Sequence, residues 1–326
     1  MQTSRWLVAL LAALLIAAPS RAGAEDYPSR ATTIVVPFTP GGTTDILARM
    51  IAQQLEARRG KSFVVENKPG AGSLVGATFV AKAPPDGYTL FMATSTAMAI
   101  NATLYKTLPY DPLTDLTPVA LVAALPFVLV VNPSLPVHSV TELIAYAKEH
   151  PGKLSYASAG PGTPHHLFAE LFKSMTGVQM AHVPYRGTQP GLNDVVAGHI
   201  PVMFTDVAPA IGMLQGKKVR PLAVSTKDRL VTFPEIPPLD EAGVPGFNVA
   251  SWQMIAAPAK IPPAILDKLH DEIAGIVATR EITERIVADG MLPMDNPSRA
   301  GLQTFVKSEI GRWGKIVQDA GIAGSQ

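Results

Sequence analysis

The stretch TIVVPFTPGGTTD, residues 33–45, decides the fold class. Its β-branched, apolar first half predicts a buried strand over 33–38, and Pro40, Gly41 and Gly42 predict a tight turn. A helix follows over 43–59, with apolar residues at helical spacing and Gly60 at its end. A strand that leads through a glycine turn into an amphipathic helix is the repeating unit of an α/β fold.

The same alternation continues along the chain. Short strands are predicted at 62–66, 88–93, 127–131, 154–157, 179–183, 201–205, 220–225 and 249–256, with helices between many of them and two helices at the C-terminus. The series that starts at residue 127 indicates a second lobe. We therefore expect two α/β lobes with a cleft between them, lobe 1 at 25–125 plus 251–326 and lobe 2 at 126–250.

The N-terminus has the pattern of a secretory signal. Arg5 precedes an apolar run over 6–18, and the small residues at 22–24 provide a cleavage site, so a cleaved signal peptide is predicted at 1–24. The run is shorter than the roughly 20 residues that cross a bilayer, and no later segment is long and apolar enough, so no membrane insertion is expected. With no cysteine, the chain has no lipid-anchor site and no disulfide. A protein free in the periplasm is predicted.

Charge and motifs exclude several functional classes. With 27 Lys and Arg against 26 Asp and Glu, the chain lacks the basic stripe of a nucleic-acid-binding protein. It also lacks the signature motifs of P-loop nucleotide-binding proteins, α/β hydrolases and zinc proteases. His165 and His166 are adjacent, so they leave a helix in different directions. No catalytic residue, metal site or cofactor is predicted.

Two turns of small residues form the candidate anion site. Each precedes a helix, whose first backbone N–H groups are unpaired and carry partial positive charge. Neither turn contains Lys or Arg, which favours a carboxylate over a polyphosphate. Chain reversal alone is the alternative role of the turns, and helix capping is that of Asp45 and Thr163. The predicted ligand-binding residues are Phe38, Thr39, Gly41, Gly42, Thr43 and Asp45 in the first turn, and Ser158, Ala159, Gly160, Gly162 and Thr163 in the second.

Further strand ends offer polar groups to the same cleft. Thr94, Ser95 and Thr96 supply hydroxyl donors after one predicted strand. After later strands come Asp206 and a segment with a guanidinium that suits a carboxylate, unless it is simply solvated. That segment consists of Tyr185, Arg186, Gly187 and Thr188.

Several motifs closely resemble those of the Bug family, the substrate-binding proteins of tripartite tricarboxylate transporters. They cover essentially the whole chain after residue 24. The motifs are VVPF at 35–38, PGG at 40–42 with Asp45, VENKPGAG at 65–72, PDGYTL at 85–90, LY at 104–105, LPYDP at 108–112, VVNPS at 130–134, PGKL at 151–154, HVPY at 182–185 and EAG at 241–243.

This resemblance implies a type II periplasmic-binding fold whose lobes close on a ligand about two crossing strands that act as the hinge. It implies a receptor without catalysis, which captures a small carboxylate through the turns at 38–45 and 158–163 and delivers it to integral-membrane permease subunits. The ligand is expected to be a di- or tricarboxylate, an amino acid or an aromatic acid. The chain departs from the family pattern at Ala97-Met98 and at Thr205-Asp206, where members often have Thr-His and Asp-Asn. Two alternatives to this transport function are a receptor that signals to a membrane sensor and an enzyme acting on a small acid.

Overall fold

A computed structural model describes residues 27–326 as two β-sheets with helices packed on their faces. This confirms the two-lobed α/β architecture predicted from the alternation of strands and helices. The predicted signal peptide at 1–24 lies outside the described residues. No helix within 27–326 is both long enough and apolar enough to cross a membrane.

The first sheet has six strands in the order β11-β4-β10-β3-β1-β2. Strands β1, β2 and β3 are parallel, and β10 pairs antiparallel with β3 and β4. Ile34, Val35 and Val36 of β1 are fully buried, because both faces of the sheet are covered, which explains the continuous apolar run. The strands are β1 (Thr32–Val36), β2 (Phe63–Asn67), β3 (Thr89–Thr94), β4 (Leu116–Leu125), β10 (Ser251–Pro258) and β11 (Leu292–Pro293).

The second sheet has five strands in the order β7-β6-β8-β5-β9. Strand β6 runs parallel to β7 and β8, whereas β5 pairs antiparallel with β8 and β9. The β5–β8 register places Phe127 opposite Asp206. The strands are β5 (Phe127–Val131), β6 (Leu154–Ser158), β7 (Met180–Pro184), β8 (Val202–Asp206) and β9 (Arg220–Val224).

The helices follow the strands closely. A short π-helical turn at Thr96–Ile100 continues directly into a helix at Asn101–Leu104, where the sequence predicted only a strand end. The α-helices are α1 (Thr43–Arg59), α2 (Leu74–Ala81), α3 (Asn101–Leu104), α4 (Val140–Glu149), α5 (Pro164–Thr176), α6 (Thr188–Ala197), α7 (Val207–Gln215), α8 (Pro263–Val277), α9 (Arg280–Ala288) and α10 (Arg299–Asp319).

The chain passes from one sheet to the other along two segments that are hydrogen-bonded to each other. The first runs from Leu125 at the end of β4 to Phe127 at the start of β5, and the second leads from Ser225 through Val249 into β10. The Ser225 hydroxyl donates to the Val249 carbonyl and accepts from the Phe127 N–H, at 2.8 and 3.0 Å. Its backbone also bonds to both residues. The two crossings are therefore held side by side.

The C-terminal helix α10 connects the two halves through an aromatic contact. Trp313 is fully buried, and its ring stacks on that of Phe168 in α5, with centroids 6.1 Å apart. Its indole N–H donates to the buried Glu309 carboxylate at 2.8 Å, and the Trp252 indole of β10 donates to the same carboxylate. Trp313 thus contributes both a large apolar surface and a satisfied polar group.

We expect Trp313→Ala to lower the free energy of unfolding by about 3–5 kcal/mol, because it removes a buried indole and leaves a cavity. Urea denaturation followed by circular dichroism measures this change. The control is Val231→Ala, at a side chain 82% exposed, for which a change within about 0.5 kcal/mol is expected. A loss for Trp313→Ala as small as that of the control would contradict the packing described here.

Candidate functional site

A partly open cavity lies between the two sheets, beside the ends of β1, β3, β6 and β8, and its empty space, counted together with the opening to solvent, is about 390 Å³. Its walls combine aromatic and aliphatic groups with hydroxyls, one amide, one carboxylate and one imidazole. This mixture is typical of small-molecule sites. The lining residues are Phe38, Gly42, Thr43, Thr44, Thr94, Thr96, Leu125, Phe127, Ala159, Pro164, His165, Thr188, Asp206, Ser251 and Gln253.

Four helices begin at this cavity. Thr43, Pro164 and Thr188 are the first residues of α1, α5 and α6, and Asp206 is the N-cap of α7; all four line the cavity. Each helix start presents backbone N–H groups without intrahelical acceptors and a partial positive charge. The sequence predicted two such helix starts, and the structure brings four together.

The first turn is held in shape by Asp45. Its carboxylate accepts from the Gly41 N–H at 3.1 Å, from the Arg49 guanidinium at 2.9 and 3.0 Å, and from the Asn67 amide at 3.0 Å. Burial opposes ionisation, but the bonds from Arg49, Asn67 and Gly41 hold the pKa of Asp45 below its ordinary value. Asp45 is thus engaged within the turn and is not among the lining residues, whereas Phe38, Gly42 and Thr43 are.

The second turn is held by its own hydroxyls and by two stacked histidines. Ser158 Oγ accepts from the Gly160 N–H at 3.1 Å, and Thr163 Oγ1 donates to the Gly160 carbonyl at 2.7 Å. His166 Nδ1 accepts from the Gly162 N–H at 3.1 Å, and the His166 ring stacks on that of His182 with centroids 4.0 Å apart. Of the residues predicted in this turn, only Ala159 lines the cavity.

Both stacked histidines are neutral at pH 7. Burial lowers the pKa of His166 to about 4, helped by the positive charge of Lys173, and that of His182 to about 3, helped by His166. An unprotonated Nδ1 is what His166 needs to accept from Gly162. The sequence analysis missed this pair because the two residues lie on different elements.

Hydroxyl and amide groups form the wall on the side of the first sheet. Thr94 and Thr96 line the cavity as predicted, whereas Ser95 Oγ is paired with Ser251 Oγ at 2.9 Å. Gln253 of β10 donates its amide to Thr44 Oγ1 at 2.8 Å. Its Oε1, like Thr96 Oγ1, is buried and has no hydrogen-bond partner among residues 27–326. Ser251 and Gln253 were not predicted from the sequence.

The segment 185–188 contributes less than its composition indicated. Thr188 lines the cavity, and Gly187 packs against Thr39. Tyr185 donates its hydroxyl to Asp194 at 2.5 Å, and Arg186 is exposed. Neither Tyr185 nor Arg186 is a lining residue.

Asp206 is buried and accepts hydrogen bonds from both sides of the cleft. Its Oδ2 accepts from the Thr43 backbone N–H at 3.3 Å and from the Thr43 hydroxyl. Its Oδ1 accepts from Thr188 Oγ1 and from His165 Nε2, each at 2.9 Å. Burial favours the neutral acid, but the bond and charge of His165, with the hydroxyls of Thr43 and Thr188, hold the pKa of Asp206 below its ordinary value. An ionised Asp206 therefore joins the start of α1 to the second lobe.

Glycines allow the two lobes to approach closely around the cavity. A Cβ on Gly72 would overlap the Pro161 carbonyl oxygen, and one on Gly187 would overlap Thr39 Oγ1. A Cβ on Gly42 would lie 3.7 Å from Thr188 Oγ1, an ordinary contact. The steric requirement for glycine is therefore stronger at Gly72 and Gly187 than at Gly42.

Comparison with known proteins gives one family. Its model, described as tripartite tricarboxylate transporter family receptor (TctC), matches residues 47–322. Rpa4515 of R. palustris, solved with adipate, is 41% identical with a TM-score of 0.89, covering 91% of this chain and 99% of its own. MatC of Rhodopseudomonas palustris, solved with bound malate, is 32% identical with a TM-score of 0.84, covering 89% and 100%. Protein BugT of Bordetella pertussis is 35% identical, covering 94% of this chain and 93% of its own.

We expect Gly72→Ala to keep the lobes apart, because its methyl group overlaps the Pro161 carbonyl only when they meet. The matched control is Gly60→Ala, since both glycines have left-handed φ values, 53° and 62°, but nothing lies within 4 Å of a Cβ on Gly60. Both variants should lose about 1–2 kcal/mol of stability from backbone strain. In small-angle X-ray scattering, only Gly72→Ala should show a larger radius of gyration. An unchanged radius in both variants would show that this contact does not limit closure.

Proposed function

Because the chain belongs to the Bug family of tripartite tricarboxylate transporter receptors, we propose that it captures a small carboxylate in the periplasm and delivers it to the integral-membrane permease subunits of such a transporter. Members of this family are solute-binding receptors, and the two-sheet fold is that of its solved relatives. Family membership does not specify the ligand, so the ligand class has to be inferred from the residues that line the cavity.

The observation that carries the carboxylate assignment is the convergence of four helix starts on one cavity between the sheets. Their partial positive charges favour an anion. The hydroxyls of Thr94 and Thr96 add neutral donors, while Phe38 and Phe127 provide apolar walls for a carbon chain. A small organic acid fits this combination better than an inorganic ion.

The similar structures support the same ligand class. The two R. palustris proteins were solved with adipate and with malate, and both compounds are dicarboxylates of four to six carbons. We propose that this receptor also takes a small organic acid, which is a di- or tricarboxylate, an amino acid or an aromatic acid. The contacts are proposed to come from Phe38, Gly42, Thr43, Thr94, Thr96, Ala159 and Thr188, the predicted residues other than Asp206 that line the cavity.

The arrangement of Asp206, His165 and Thr188 favours binding over catalysis. In a catalytic triad the carboxylate and the nucleophile contact different nitrogens of the histidine. Here both Asp206 Oδ1 and Thr188 Oγ1 contact Nε2 of His165, at 2.9 and 3.0 Å. This ring therefore does not relay a proton from the Thr188 hydroxyl to the other nitrogen, and we propose that the protein is not an enzyme.

We also propose that the lobes are residues 25–125 plus 251–326 and residues 126–250. Support comes from sheet membership, because the strands of the first sheet fall within the first set and those of the second sheet within 126–250. The paired crossings at Phe127, Ser225 and Val249 are the proposed hinge.

A thermal-shift experiment tests the carboxylate assignment. Purified protein, unfolded and refolded to remove carried-over ligand, is heated with adipate, malate, glutamate or benzoate, and with the corresponding neutral amides. An acid present at 100 times its Kd adds about 2.7 kcal/mol of stability, which raises Tm by several degrees. We expect at least one acid to raise Tm and its amide to have no effect, with the acid recovered unaltered by mass spectrometry. The assignment is wrong if no acid raises Tm, and chemical conversion of the acid would indicate an enzyme.

A further inference from the structure

His165 lines the cavity, and only one of its two ring nitrogens has a hydrogen-bond partner among residues 27–326. The residue is 6% exposed and lines the cavity in the first turn of α5. Its Nε2 is bonded to Asp206 and Thr188, whereas its Nδ1 is buried and has no hydrogen-bond partner within the described part of the chain. The Phe127 ring packs against it in a T-shaped contact, with centroids 4.8 Å apart. The imidazole is therefore fixed in orientation with one nitrogen unused.

Asp206 determines which nitrogen of His165 carries a proton. Its Oδ1 can only accept, so the Nε2 in contact with it must be the donor. The carboxylate also accepts from Thr43 and Thr188, and it has no direct contact left over for a ligand. Asp206 thus serves as a fixed negative charge behind the His165 ring, on the side away from the free nitrogen.

The charge of the cavity lining favours a cation beside Asp206. Among the lining residues Asp206 is an acid, none is Lys or Arg, and His165 is the one group able to become positive. A buried carboxylate without a charged partner is strongly unfavourable, and a ligand carboxylate beside it would add repulsion.

We propose that His165 is the cation that binds the carboxylate of the ligand: as an imidazolium it donates Nε2–H to Asp206 and Nδ1–H to the ligand. This assignment rests on the proposed function, because it specifies how the same cavity holds an acid. The charges then alternate in sign: the Asp206 carboxylate is negative, the His165 ring is positive and the ligand carboxylate is negative.

The other ionisable groups near His165 are paired elsewhere. Asp45 of α1 is bonded to Arg49 and Asn67, and Glu309 of α10 accepts from two indoles. On α5 itself, His166 faces His182, and Glu170 is paired with Lys173 at 2.7 Å. Asp206 is therefore the charge that acts directly on the His165 ring.

Two substitutions distinguish the proposed role of His165 from a site in which Asp206 only repels the ligand carboxylate. His165→Gln keeps a donor toward Asp206 but removes the charge and the second N–H. Asp206→Asn removes the charge that stabilises the imidazolium. Isothermal titration with adipate and with malate should show at least tenfold weaker binding for both variants, as for loss of a charge-assisted hydrogen bond. The control is His138→Gln, at an exposed histidine before α4, which should bind like the wild type.

The result for Asp206→Asn is decisive because the alternatives predict different outcomes. If Asp206 only repelled the ligand, this variant would bind more tightly, and that result would overturn the proposal. If Asp206 received an ammonium group of the ligand, glutamate binding would fall in Asp206→Asn but persist in His165→Gln, which would also overturn it. Thermal unfolding of each variant without ligand identifies any loss that comes from misfolding.

The protonation state of the ring provides a readout that does not depend on affinity. In ¹⁵N spectra of histidine-labelled protein with adipate or malate, assigned with His165→Gln, both ring nitrogens of His165 should carry a proton. If the wild-type protein binds the acid and Nδ1 of His165 is unprotonated, the role proposed for His165 is wrong, but the carboxylate function stands. If the wild type binds neither these acids nor those of the thermal-shift panel, the carboxylate function fails, and the role of His165 fails with it.

Discussion

The carboxylate of Asp206 accepts hydrogen bonds from Thr43 across the cleft, and the arrangement of the site follows from this contact. The start of α1 has backbone donors that its own helix cannot satisfy, and burying such donors without acceptors is costly. The second lobe supplies the acceptor. Contact between the lobes at the cleft is therefore stabilised by groups of the protein itself, and one backbone donor of the anion site proposed at the turn 38–45 is already used.

This internal contact limits what a ligand can do in the cavity. The Thr43 N–H donates to Asp206, so we propose that the affinity for an acid comes from the remaining helix starts, from hydroxyls such as Thr96 and from the imidazole of His165. The apolar walls around Phe38 and Phe127 then distinguish one carbon skeleton from another. In the proposed site, anion recognition and shape recognition thus come from different parts of the lining.

Local patterns predicted the elements that depend on neighbours in sequence. The turns at 38–45 and 158–163 and the strands that precede them could be identified from β-branched runs and glycines. Strand β4 was missed because its alanines and Pro118 have low strand propensity, and only its pairing with β10 reveals it. Gln253 was missed because its partner Thr44 is far away in sequence, and the two side chains meet only in the folded protein. His165 was rejected as a catalytic or metal-binding residue because adjacent histidines leave a helix in different directions. Its partner Asp206 is on β8, so the contact between the two cannot be predicted from the local sequence.

The paired crossings at Ser225 have a mechanical consequence. A single flexible linker would let the lobes swing and twist in many directions. Two crossing segments bonded side by side restrain twisting and sliding of the lobes more than a single segment does, so we expect the proposed hinge to allow rotation about one axis. On this proposal, each closing movement returns the two lobes to the same alignment. A permease subunit of the proposed transporter that touched both lobes would then distinguish the open from the closed form by the angle between the lobes.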